Sequence, residues 1–179
     1  KIINNQIKQI EKLVNEFSDF ARMPKPIFNK NNITDILNEN IRLLQQLDNT
    51  INIVFSKSSE KIILESDKEQ LSRVFFNLIK NSIESIHQKH EKVRDFNKKI
   101  TIELNELSDH ISLTIVDTGI GFGDLKSNVR NILNPYFTTK KNGTGLGLSI
   151  VNKIINDHNG NIKFIPIISG AKIEVTFVK

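Results

Sequence analysis

Apolar residues recur along this chain with a period that changes from stretch to stretch, and each period predicts an element. Ile3, Ile7, Ile10, Val14, Phe17 and Ala21 alternate spacings of four and three, the seam of a coiled coil or helix bundle on one long helix. Such a stripe cannot bury itself alone. Arg22-Met23-Pro24-Lys25-Pro26 ends the helix, because each proline removes a donor and pushes its predecessor toward extended geometry. A boundary near residue 24 follows, with a partial helical domain over 1–24 and a second domain over 25–179.

Beyond that boundary, Ile33, Ile36, Leu37, Ile41, Leu44 and Leu47 predict a helix over 33–47, and residues 51–55 and 61–65 read as strands. Asp67 with Gln70 predicts a capping box that opens a helix running to about His90. Residues 99–104 and 110–116 alternate as strands, the second running into Asp117. Residues 118–143 carry glycines, a proline and few periodic apolar positions, which predicts a long irregular loop with room for one short helix. Loops of that length inside compact domains are usually functional. A helix over Leu146 to His158 and strands around 161–168 and 171–178 complete the chain.

Composition narrows the reading. With 179 residues, 38% of them hydrophobic, the chain can build a core without staples, and with no cysteine it has neither a disulfide framework nor a thiolate metal site. No apolar run approaches the roughly 20 residues that cross a bilayer, so a soluble piece is expected. The formal charge of +5 would suit a phosphorylated ligand, a membrane surface or nucleic acid. Its lysines are spread thinly among acids and asparagines, and no nucleic acid partner is predicted.

Three short patches carry the candidate chemistry. Asn77 and Asn81 are four apart and share one face of the helix from Asp67. They can offer amide oxygens to a magnesium ion, with Asn81 the better ligand, or simply hydrogen-bond the backbone at the core edge. Asp117 ends an apolar strand and precedes Gly119, Gly121 and Gly123. Its carboxylate can accept from the exocyclic amine of adenine, which guanine cannot reproduce, or it can simply form a turn. Gly143, Gly145 and Gly147 lead into a helix whose first N–H groups favour an anion, or they form a flexible approach to that helix. Neither the dinucleotide G-x-G-x-x-G spacing nor a G-x-x-x-x-G-K-[ST] loop is present. Together the patches read as an ATP site.

In this order they resemble the N, G1 and G2 boxes of the histidine kinase catalytic domain, in the superfamily of HSP90, MutL and gyrase B. Pro135-Tyr136-Phe137-Thr138-Thr139-Lys140 matches the F box, and the resemblance spans residues 27–179. Residues 16–26 look like the end of the dimerisation domain in nitrogen-regulation sensor kinases of the NtrY and NtrB type. The resemblance implies an α+β fold, a two-layer α/β sandwich with helices on one face of a mixed sheet and a long N-terminal helix left from a dimerisation hairpin. It implies ATP and Mg2+ as cofactors, Asn81 as metal ligand and Asn77 in support, Asp117 on adenine with Gly119 and Gly121 shaping its pocket. Gly143, Thr144, Gly145, Leu146 and Gly147 would border the triphosphate, residues 122–142 would form an ATP lid, and Lys140 and Lys141 would either approach phosphates from it or stand as a solvated lysine pair. Where many relatives carry a basic residue after the metal asparagine, this chain has Glu84.

The phosphoacceptor motif of such kinases, a histidine followed by an acid and then by Asn-Pro, is absent. His90-Glu91 begins like it but lacks the downstream Asn and Pro, and His87, His110 and His158 sit in no such motif; the last is expected near the final turn of its helix, where a cation is favoured. The catalytic histidine is therefore assigned to an upstream helix outside this chain. The implied partners are a second copy, through the dimerisation helices, and a response regulator receiver domain. The implied location is cytoplasmic, with any membrane attachment through other segments of the parent. Two rival functions are a conformational ATPase of the HSP90 or MutL kind, which usually carries a glutamate where this chain has Asn77, and a nucleotide-sensing or dimerisation module without transfer.

Overall fold

The computed structural model describes residues 7, 10, 11, 14, 15, 17, 18, 22–122, 129–138, 140 and 143–179. Of the expected N-terminal helix, residues 7, 10, 11, 14, 15, 17 and 18 are helical, and Ile7, Ile10, Val14 and Phe17 are exposed. Ile3 and Ala21 of the seam lie outside the described residues, as do positions 123–128, 139, 141 and 142 of the expected lid.

The remaining elements follow in chain order. They are β1 (Asn29–Asn32), α1 (Ile33–Leu47), β2 (Asn52–Lys57), β3 (Ile63–Ser66), α2 (Lys68–Lys92), β4 (Lys99–Glu106), β5 (His110–Asp117), a 3-10 turn (Val129–Leu133), α3 (Gly147–Asp157), β6 (Gly160–Pro166) and β7 (Ala171–Val178). One sheet of five strands runs β2-β4-β5-β7-β6, with β2 and β4 parallel and the other pairs antiparallel. The three helices cover one face, α2 lying between α1 and α3. The architecture is the expected α+β two-layer sandwich on a mixed sheet.

Alternation decides which side chains reach the buried layer. Ile100, Ile102 and Leu104 of β4, Ile111, Leu113 and Ile115 of β5, and Ile173, Val175 and Phe177 of β7 point to the helices and are closed off from solvent. Leu71, Val74, Phe75, Leu78, Ile79 and Ile86 of α2 meet them. At roughly 1.5–3 kcal/mol for each large side chain removed from water, this layer supplies the main driving force for the fold.

Helix starts show where local rules hold and where they yield. Asn32 caps α1 by accepting from the Thr34 N–H. Asp67 caps α2 by accepting from the N–H groups of Glu69 and Gln70, both at 3.0 Å. The reciprocal half of the expected capping box is not made: the Gln70 side chain donates to the Pro24 carbonyl at 3.1 Å, and the Asp67 N–H donates instead to His158 Nε2 at 3.0 Å. His158 follows the last turn of α3 as predicted and is buried: Nε2 accepts from the Asp67 N–H, and Nδ1 donates to the Ile154 carbonyl at 2.8 Å. β1 was not legible in the pattern, and it pairs antiparallel with β3 in a separate two-stranded sheet.

Candidate functional site

One face of α2 forms the floor of the site. Asn77, Asn81, Glu84, Ser85 and Lys89 recur at helical spacing along the side of α2 that meets the loops above. A Cβ placed on Gly147, the first residue of α3, would lie 3.3 Å from Asn77 Oδ1. The Asn77 amide is held by donating to the Arg73 carbonyl at 2.8 Å. Asn81 Oδ1 accepts from Lys140 Nζ at 2.8 Å, and the same ammonium pairs with Glu84. Gly119 sits against Ser85, where any Cβ would overlap the helix backbone, and the Ile120 N–H donates to the Ser85 carbonyl at 3.3 Å. Lys89 Nζ donates to the Thr118 carbonyl at 2.7 Å and to Ser169 Oγ at 2.9 Å, bracing the turn after β5 against the β6–β7 turn.

Asp117 reaches this floor because the β5 alternation that buries Ile111, Leu113 and Ile115 delivers it to the same face. Asp117 is 3% exposed, and its Oδ1 accepts from the Gly119 N–H at 2.8 Å. Burial pushes the carboxyl above its ordinary value, opposed by that N–H, which favours the ionised form. Gly121 packs on the Gly170 carbonyl, and Gly170 packs in turn on the Asp117 carbonyl.

On the opposite side, α3 begins without a side-chain cap at Leu146 among the described residues, and the first N–H groups of a helix have no partner within it. Gly143 lies against the Thr138 side chain, and its N–H donates to the Lys140 carbonyl at 3.2 Å. Thr144 Oγ1 accepts from the Leu146 N–H at 3.5 Å. Leu146 is fully buried and anchors the start of α3 in the core. Phe17 stacks on Tyr136 with ring centroids 6.5 Å apart, which joins the N-terminal helical residues to this loop.

The chemistry of the donor set suits a hard divalent ion at Asn81. Its neutral amide oxygen already faces one cation, the Lys140 ammonium, and magnesium takes few protein ligands and keeps waters and phosphates as the rest. No cluster of three or more His, Asp or Glu able to hold a metal exists among the described residues. Sequence reasoning placed Glu84 only as a departure and did not single out Ser85, Lys89, Ser169 or Gly170. Of these, Ser85 and Lys89 were discoverable by continuing the four-residue stride from Asn77 and Asn81 along the helix.

Comparisons with known proteins place the chain in a family and a fold. Residues 66–178 match the family model described as histidine kinase-, DNA gyrase B- and HSP90-like ATPase. The chain is 32% identical over 161 residues to nitrogen regulation protein NtrY of Azorhizobium caulinodans, which covers 90% of this chain and 20% of that protein. The catalytic domain of histidine kinase ThkA superposes with a TM-score of 0.73 at 28% identity, covering 86% of this chain and 96% of that one. ThkA in complex with response regulator protein TrrA superposes with a TM-score of 0.78 at 25% identity, covering 99% of this chain and 49% of that one. The chain spans between 20% and 36% of the length of the curated relatives it matches.

Proposed function

Because the chain belongs to the histidine kinase-, DNA gyrase B- and HSP90-like ATPase family, in which it is a histidine kinase ATP-binding catalytic domain, we propose that it binds Mg-ATP and presents the γ-phosphoryl group to a histidine outside this chain. The observation that supports this is the polar face of α2, which meets the loop after β5, the start of α3 and Lys140 at successive turns.

In this reading Asp117 accepts from the adenine amine, with Gly119 and Gly121 bounding the base. The uncapped start of α3 and the Gly143, Thr144, Gly145, Leu146 and Gly147 backbone border the triphosphate, with Asn77 beside them. Asn81 holds the magnesium ion, which neutralises phosphate charge when bound. Transfer forms a bond from the acceptor imidazole nitrogen to the γ-phosphorus and breaks the bond to the β,γ-bridging oxygen, releasing ADP. The chain's part is positioning and charge stabilisation. Asn77 is an amide and cannot take a proton from water, which argues against a hydrolytic ATPase.

Residues 1–24 belong, in this proposal, to a dimerisation helix, and 25–179 to the catalytic unit. A response regulator receives the phosphoryl group next, as the ThkA complex supports. No helix among the described residues is long and apolar enough to cross a membrane, and the proposed place of this domain is the cytoplasm. The test is transfer in trans: γ-labelled ATP, this chain and a fragment carrying the parent's histidine-box helix should yield acid-labile label on the fragment. Label on this chain alone, on His87, His90, His110 or His158, would overturn the reading as a donor domain. No label on a folded partner, with nucleotide bound, would favour a nucleotide-sensing module.

A further inference from the structure

Lys140 and Glu84 pair across 56 positions of sequence, and the chemistry set out above gives Glu84 no role. Glu84 Oε2 accepts from Lys140 Nζ, Glu84 Oε1 lies 3.9 Å from Lys80 Nζ, and the Lys140 ammonium also donates to Asn81 Oδ1 at 2.8 Å. Asn81 and Glu84 are three apart on α2 and share a face, which is why a single cation meets both. The Lys140 and Glu84 side chains are 29% and 38% exposed, and ion pairs that open contribute little to folding. Their consequence is positional. A lysine on a flexible four-carbon stem is confined to the end of Asn81 that faces the metal in the proposed reading.

Resting on that Mg-nucleotide reading, we propose that Glu84 is the positioning residue for Lys140 and makes it the second cation on the terminal phosphate. The metal's claim on Asn81 displaces the ammonium from that one oxygen. Glu84 retains the ammonium beside it, and its negative charge offsets the repulsion between the two cations, which is appreciable at such short range. The usual basic residue at the Glu84 position is thereby replaced by an acid that recruits a base from the loop.

Equilibrium binding of ADP and of a non-hydrolysable ATP analogue, each with and without Mg2+, tests this on the whole chain. With Mg2+, Glu84→Gln and Lys140→Met should each lower the preference for the ATP analogue over ADP by about tenfold, the scale of one charge-assisted hydrogen bond. ADP affinity should stay within about twofold in both, since neither touches the rest of the nucleotide. The double variant should lose no more than either single one, and Lys80→Met should keep the full preference. An unchanged preference in Glu84→Gln, or losses that multiply in the double variant, would overturn the inference. Failure of the wild-type chain to bind ADP at all would instead overturn the nucleotide reading, and this inference with it.

Discussion

Tyr136 and Gly145 are joined backbone to backbone, both in the left-handed region, with φ of 67° and 71°. The Tyr136 N–H donates to the Gly145 carbonyl at 3.1 Å, and a Cβ on Gly145 would lie 2.4 Å from the Tyr136 carbonyl carbon. This contact ties the segment that carries Lys140 to the loop that opens α3, so the geometry of one limits the other.

Gly145→Ala must therefore pay twice, at roughly 1–2 kcal/mol for the left-handed backbone alone and more for the overlap with Tyr136. Because the sheet and α2 do not depend on this loop, the expected outcome is a protein that still unfolds cooperatively but binds ATP analogues at least about tenfold more weakly, read by calorimetry beside a thermal melt. Wild-type affinity in the variant would show that the contact does not shape the site.

Asp117→Asn separates stability from binding. The folded carboxyl titrates above its ordinary value, so its ionised form is the one the fold disfavours. Stability from the protonated form is present below the unfolded value and lost as pH rises through the folded one. The Asn variant should accordingly melt higher than wild type at pH 7, with the gap closing as pH falls toward the ordinary carboxyl range. ATP binding should weaken about 10–100-fold, as for loss of a charged hydrogen bond, and preference over GTP should vanish. A lower melting temperature at pH 7 would count against the burial argument.

In the proposed reading, Asn81→Ala would remove the metal ligand and leave the adenine pocket intact. Removing even an outer-sphere partner costs about 10–100-fold in metal affinity, so the magnesium-dependent gain in ATP binding should fall at least about tenfold. Binding in EDTA should hold steady. Equal losses with and without Mg2+ would assign Asn81 a structural role.

Asp67→Ala tests the junction near residue 24. Burial alone would raise the Asp67 carboxyl, but the N–H groups of Ile27, Gln70 and Glu69 hold it below the usual range. Stability from this group is present above the unfolded value and lost as pH falls through the folded one. Loss of the cap should cost about 1–2 kcal/mol in denaturant unfolding at pH 7, and the difference from wild type should shrink in acid. A neutral substitution would mean that the bond to Ile27, 2.9 Å long, and the cap contribute nothing net.

Local pattern determined what depends on neighbours in sequence. The apolar stride of Ile33 to Leu44 delimits α1, the alternation of β5 carries Asp117 to the helical face, and the Asp67 side chain starts α2, because each follows from backbone periodicity or from a bond within three residues. The asparagine pair, the aspartate before its glycines and the glycines before α3 were legible for the same reason. Tertiary structure alone decided the rest. β1 is four polar residues, Asn-Lys-Asn-Asn, with no alternation to mark it, and it is a strand only because β3 offers a ladder. Gln70 leaves its capping partner for Pro24, and His158 takes the Asp67 N–H across 91 positions. Lys140 meets Asn81 and Glu84 only because the loop folds back over α2. A hydrogen bond or ion pair depends on distances of a few ångströms between groups, and for groups this far apart along the chain only the packed fold sets those distances.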